Sequence, residues 1–214
     1  MRYHTRQDEG QRVMFYAIAR GLVSLLYHIR FKITVVGRGN IPAQMGGCII
    51  ASNHVSNNDP PFIGIVFKGR YTFMAKEELF KNRFFGWLIR KLGAFPVKRG
   101  AKDLAAIDTA IESLGKGRTF MIFPEGTRSK NGELGRPKSG VSIIAVRAKA
   151  PVIPVFVKYG RKKFRRNALI SIGEAIPKEE FEAADITDKH SIHAISNRIM
   201  GEIAKLKETA PDIE

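Results

Sequence analysis

Residues 13–31 form a long apolar run interrupted by Arg20, His28 and Arg30. Arg12, Arg20, Ser24 and His28 recur at spacings of four or eight, so a helix lines them up as one narrow polar stripe on an otherwise apolar surface. Beyond residue 31 the pattern changes. Residues 32–37 and 48–52 read as strands and 72–75 as a short one. Residues 119–123 and 152–157 are apolar enough to be buried strands, and 168–172 is a further candidate. Between them the period lengthens. Asp59-Pro60-Pro61 predicts a helix start, with Asn58 or Asp59 as N-cap and proline in the first turn. Helical signals run over 77–92. Leu104, Ile107, Ile111 and Leu114 predict an amphipathic helix stopped by Gly115 and Gly117, and Ile192, Ile195, Ile199, Ile203 and Leu206 mark a closing one.

Strands alternating with helices, without repeat or linker, predict a single α/β domain over residues 32–214, a central sheet flanked by helices. Residues 1–31 are expected to precede it as an N-terminal amphipathic, membrane-associated helical segment. Ala17-Ile18-Ala19 has too little apolar chain before it to read as a signal-peptide cleavage site.

Charge sharpens this picture. The formal net charge is +16, which implies an anionic partner: nucleic acid, an anionic membrane surface or a phosphorylated substrate. Residues 67–166 hold 24 basic and 7 acidic side chains, net +17, whereas 167–214 carry a net −5, so the partner is expected at the middle of the chain. The single Cys48 excludes an intrachain disulfide framework and favours a reducing compartment. It lies within an apolar strand, which suits a core position better than a nucleophile.

Three polar segments carry the candidate chemistry. In Asn53-His54-Val55-Ser56-Asn57-Asn58-Asp59 the histidine and aspartate stand five apart, too far around a regular helix to share a face. A strand–loop–helix can fold them together. The carboxylate then fixes one ring nitrogen and leaves the other free as a base. A loop histidine beside a capping aspartate is the competing reading. Phe123-Pro124-Glu125-Gly126-Thr127-Arg128-Ser129 leaves an apolar strand. Gly126 permits close backbone approach, and Thr127, Arg128 and Ser129 offer donors, with Arg128 able to grip a phosphate bidentately. Gly93-Ala94-Phe95-Pro96-Val97-Lys98-Arg99 ends in two cations, and Lys138 adds charge before another helix. A phosphate-binding P-loop and a G-x-S-x-G elbow are absent, and His190 with His193 is a poor metal site without further ligands.

Together these segments resemble the glycerolipid acyltransferase family, specifically the 1-acyl-sn-glycerol-3-phosphate acyltransferases. N-H-x4-D stands as Asn53-His54 with Asp59, a G-x-x-[FP]-x-x-R block ends at Arg99, F-P-E-G-T-R-S spans 123–129 unchanged, and a V-x-P-V strand stands at 152–155. The likeness covers roughly residues 35–175. It implies that His54 deprotonates the acceptor's hydroxyl, that Asp59 orients His54, and that the hydroxyl attacks an acyl thioester of coenzyme A or acyl carrier protein. Arg99, Glu125, Gly126, Thr127 and Arg128 would position the acceptor, lysophosphatidic acid, with help from Lys138. No cofactor or metal is implied. Glycerol 3-phosphate or another lysophospholipid is the alternative acceptor, and a basic nucleic-acid-binding domain, for which no recognised motif is present, the remote alternative. The oxyanion stabiliser that thioester attack requires is sought among the backbone N–H groups near the Asp59 helix start. Phe62, Ile63, Ile65, Val66, Phe84, Phe85, Trp87 and Leu88 are candidates for an acyl pocket or for core. The 13–31 segment is expected to lie in the interface of an anionic membrane, on its cytoplasmic face, with the Arg20 stripe among the headgroups.

Overall fold

The computed structural model describes residues 4–67, 69–98, 103–161 and 165–213, with side chains in the first helix from residue 14 onward. In chain order the elements are α1 (His4–Arg30), β1 (Phe31–Val36), β2 (Ile49–Ser52), α2 (Asp59–Val66), β3 (Tyr71–Lys76), α3 (Arg83–Lys91), β4 (Ala94–Val97), α4 (Leu104–Gly115), β5 (Thr119–Ile122), α5 (Gly140–Ala148), β6 (Val152–Tyr159), β7 (Arg166–Ile172) and α6 (Lys189–Glu208). The seven strands form one mixed sheet in the order β1-β7-β6-β2-β5-β3-β4. Every neighbouring pair is parallel except β6 and β7, which are antiparallel.

The alternation of side chains along the strands divides the core in two. Ile49, Ala51, Phe120, Val152 and Phe156 face α4, α5 and α6. Cys48, Ile50, Met121, Ile153, Val155 and Val157 face α2 and the inner side of α1. Both faces of the central strands are therefore covered, which explains why 48–52 and 152–157 read as unbroken apolar runs. Gly93 is needed to open β4: its φ is +96°, and a Cβ there would lie 2.0 Å from the Tyr71 carbonyl oxygen.

Three local expectations change. The helical stretch at 77–92 is a short 3₁₀ turn, Glu77–Phe80, followed by α3, whose N-cap Asn82 accepts a 2.9 Å hydrogen bond from the Phe85 N–H. Asn58 makes no side-chain cap to α2, and Asp59 is instead the first helical residue.

The third change concerns α1. Its polar stripe does not face away from the domain: Arg20 and Ser24 are half-buried on the inner side, although His28 is exposed. Burial raises the Tyr16 hydroxyl to about 12, against the opposing pull of Arg20. The outward face carries Met14, Ile18, Leu22, Leu25, Leu26 and Ile29, each more than half exposed. Arg12 lies where only the backbone is described. Among the described residues no helix is long and apolar enough to cross a membrane.

Candidate active site

The site lies where β2, β5 and β6 end, on the two loops that leave β2 and β5. Past Ser52, the Asn53 side chain continues the pairing with β6. Its Nδ2 donates to the Val157 carbonyl (3.0 Å), and its Oδ1 accepts from the Val157 N–H (2.7 Å). This pins the loop at its root. The next residue, His54, is 8% exposed, with its ring stacked on Phe123 at a centroid distance of 4.0 Å.

His54 Nδ1 lies 2.7 Å from Asp59 Oδ2. Asp59 is fully buried. The same oxygen accepts the backbone N–H groups of Val55 (2.7 Å) and Ser56 (2.8 Å), and Oδ1 accepts the Tyr159 hydroxyl (2.6 Å). Four donors converge on one carboxylate, the surroundings a buried negative charge requires. This network assigns the proton to Nδ1 and leaves the Nε2 lone pair unengaged among the described residues. Burial first, then the Asp59 charge, raises the Tyr159 hydroxyl pKa far above its ordinary value, so Tyr159 remains a donor.

The second loop is built around the first. Glu125, 6% exposed, accepts the His54 N–H on Oε1 (3.0 Å) and the Gly135 N–H on Oε2 (2.9 Å). The Ser129 N–H donates to the His54 carbonyl (2.7 Å), and the Lys138 N–H to that of Pro124 (2.8 Å). Glu125 is thus a clamp between loops. Gly126 has φ +68°, and a Cβ there would meet the Lys138 Cδ at 2.9 Å, so the lysine stem lies across the bare glycine. Thr127, Arg128 and Lys138 are exposed. Lys76, which ends β3 one strand beyond β5 at the same end of the sheet, is ion-paired with Glu78 (3.0 Å). Arg99 lies outside the described residues.

Four of the backbone N–H groups near the Asp59 helix start are already engaged. The Val55 and Ser56 N–H groups are taken by Asp59, that of Asn58 by Ser56 Oγ (3.2 Å) and that of Asp59 by the Ser56 carbonyl (3.2 Å). Pro60 and Pro61 have none to give. The apolar candidates also separate. Phe62, Ile63 and Val66 are core, while Phe84, Phe85 and Trp87 are exposed on α3.

Sequence reasoning missed two tyrosines. Tyr159 reaches Asp59 from 100 residues away. Tyr27 of α1 donates to Asn58 Oδ1 (2.9 Å), tying the N-terminal helix to the loop between His54 and Asp59. The only signal for Tyr159 was a polar end on an otherwise apolar strand.

Residues 32–158 match the protein-family model described as Acyltransferase. The chain is 34% identical to the 1-acyl-sn-glycerol-3-phosphate acyltransferase of Streptococcus pneumoniae, over 97% of this chain and 79% of that protein. It is 29% identical to the protein of the same name in Bacillus subtilis, over 90% and 96%. The crystal structure of the 1-acyl-sn-glycerophosphate acyltransferase of Thermotoga maritima superposes with a TM-score of 0.73 at 26% identity, covering all of this chain and 86% of that one.

Proposed function

The chain belongs to the acyltransferase family, and from that premise we propose that it acylates the free hydroxyl of 1-acyl-sn-glycerol 3-phosphate to give phosphatidic acid. The donor is an acyl thioester of coenzyme A or acyl carrier protein. The observation that carries the reading is the buried, Asp59-held His54 with its Nε2 unengaged, on a loop hydrogen-bonded to the one that presents Thr127 and Arg128.

His54 Nε2 takes the hydroxyl proton as the oxygen attacks the thioester carbonyl. Asp59 stabilises the imidazolium that forms and keeps the ring in the productive tautomer. The tetrahedral intermediate collapses with loss of the C–S bond, and the departing thiolate takes the proton from His54. The new ester bond and the free thiol complete the balance, and no covalent enzyme intermediate, cofactor or metal enters. Arg128 and Lys138, with Arg99, hold the acceptor phosphate. Gly126 and Thr127 shape the backbone and donors around it, and Glu125 keeps that loop in register with His54.

The membrane substrate calls for placement at a bilayer surface, on its cytoplasmic face, where the soluble donor is at hand. The outward face of α1 supports it: six large apolar side chains point away from the domain, the arrangement of a helix lying in the interface. Anionic lipids would add attraction to the basic middle of the chain. The test crosses the two thioester donors with lysophosphatidic acid and glycerol 3-phosphate. Phosphatidic acid from lysophosphatidic acid is expected, and turnover confined to glycerol 3-phosphate would overturn the assignment.

A further inference from the structure

A second concentration of charge lies at the opposite end of the sheet from His54. A cavity of about 370 Å³ opens there between α1, α3 and the leading ends of β3 and β5. Its lining includes Arg70, Arg90, Lys91 and Arg118, and no carboxylate. Arg90 is held with its guanidinium 4.7 Å from the centre of the Phe80 ring. Among the described residues, Arg90, Lys91 and Arg118 form no ion pair. Tyr71 forms part of the wall. It is 4% exposed, and its hydroxyl is buried without a hydrogen-bond partner. Arg90, Lys91 and Arg118, unpaired among the described residues and lining one cavity, are the complement of a phosphate.

The rim identifies the source of that phosphate. Tyr16 of α1 and Trp87 of α3 line the cavity, Trp87 with its side chain half exposed. Trp87 packs edge-on against Phe15 of α1, with ring centroids 5.7 Å apart, so the two helices meet at the mouth. Trp87 is 48% exposed, and Phe84 beside it is 74% exposed. Aromatic side chains flanking cations are the signature of the membrane–water boundary. Tyr16 and Tyr27, eleven residues apart on α1, lie about 16 Å apart along its axis. The cavity and the catalytic loop therefore open along one helix, whose outward side is apolar.

We propose that this cavity binds the phosphate of an anionic phospholipid headgroup, and that α3 enters the bilayer interface beside α1. The inference rests on the reading of the chain as an enzyme working at a membrane surface. A lipid held here is not the substrate. It fixes the orientation of α1, so that the loop tied to Tyr27 faces the lipid plane.

The test is binding of Lys91→Ala, Arg118→Ala to vesicles of phosphatidylglycerol and of phosphatidylcholine. Each cation near an anionic surface is worth about fivefold in affinity, so a fall of about tenfold or more is expected on phosphatidylglycerol and none on phosphatidylcholine. A charge-matched control, Lys149→Ala with Lys178→Ala on the other side of the sheet, should bind both as the wild type does. An equal loss in the control would reduce the effect to overall charge, and an equal loss on both vesicles would make the residues structural. Unchanged vesicle binding with a raised KM for the thioester would assign the cavity to the phosphates of a soluble donor. Each of these overturns the proposal. Acylation is read separately in detergent with purified wild type: its absence would end the functional reading, while the vesicle contrast would still decide the cavity.

Discussion

The two ends of the sheet handle charge in opposite ways. At the His54 end the carboxylates are buried and partnered, Asp59 by four donors and Glu125 by two, while Arg128 and Lys138 stand exposed beside them. At the other end four cations line an open cavity that contributes no carboxylate. The first arrangement fixes geometry before any ligand arrives, which the general-base role proposed for His54 requires because a misplaced proton acceptor loses most of its effect. The second lines a cavity with Arg90, Lys91 and Arg118, which form no ion pair among the described residues and so can meet an anion that comes and goes. The difference lies in burial and in the sign of the charge: buried carboxylates at one end, cations around a cavity at the other.

That contrast can be broken most severely at His54. His54→Ala should lower turnover by about 10²–10⁴-fold while the purified variant keeps its circular dichroism spectrum and melting cooperativity. Turnover within a few-fold of wild type would end the general-base role. Asp59→Asn keeps the shape but sets an amide among four donors. A loss of roughly 10²-fold in kcat is expected, toward the lower end of the range for general-base catalysis, and steady-state kinetics against His54→Ala would rank the two. If Arg128 makes the proposed charge-assisted contact with the acceptor phosphate, worth about 1.5–3 kcal/mol, Arg128→Ala should raise KM for lysophosphatidic acid about tenfold or more with the thioester KM little changed. A rise confined to the thioester would show that the two substrates are reversed.

Smaller substitutions sharpen the comparison. Tyr159→Phe leaves Asp59 Oδ1 buried without its donor. Thermal or denaturant unfolding should show a loss of about 1.5–3 kcal/mol, with turnover reduced by less than in Asp59→Asn. Tyr27→Phe removes a neutral hydrogen bond and should cost about 0.5–1.5 kcal/mol. An effect of Tyr27→Phe on vesicle-presented substrate that disappears in detergent would show that α1 positions the loop only when seated on lipid.

Much of this was legible in advance, and the failures have physical reasons. The buried strands and the closing helix follow directly from apolar runs and spacing, and the F-P-E-G-T-R-S stretch marked the second loop. The His54–Asp59 contact was open to sequence as a possibility, because a five-residue separation closes only in a loop. Tyr159 was out of reach: its partner is 100 residues distant, and only the β2–β6 pairing brings them together. The orientation of α1 was ambiguous for another reason. Periodicity finds a stripe but not which way it faces, and here an adjoining domain with tyrosine hydroxyls drew Arg20 inward. The break at residues 81–82 was missed because Asn82 acts as a cap inside a stretch whose apolar residues continue on both sides.

The strand order also has a consequence for the order of assembly. β1 has one neighbour, β7, and Phe31 pairs with Arg166, about 135 residues later. At roughly 5–20 residues per second that separation lasts about 7–27 s during synthesis. Throughout this interval β1 is an unpaired edge, and α1 has the α2 segment, which Tyr27 reaches through Asn58 and Phe62, as an early partner for its inner side. The central strands β2, β5 and β3 can meet first, but Tyr159 arrives only with the end of β6. The histidine loop thus lacks one of the groups that hold it until three-quarters of the chain exists, and the N-terminal helix is free to find an apolar surface well before there is a working active site to deliver to it.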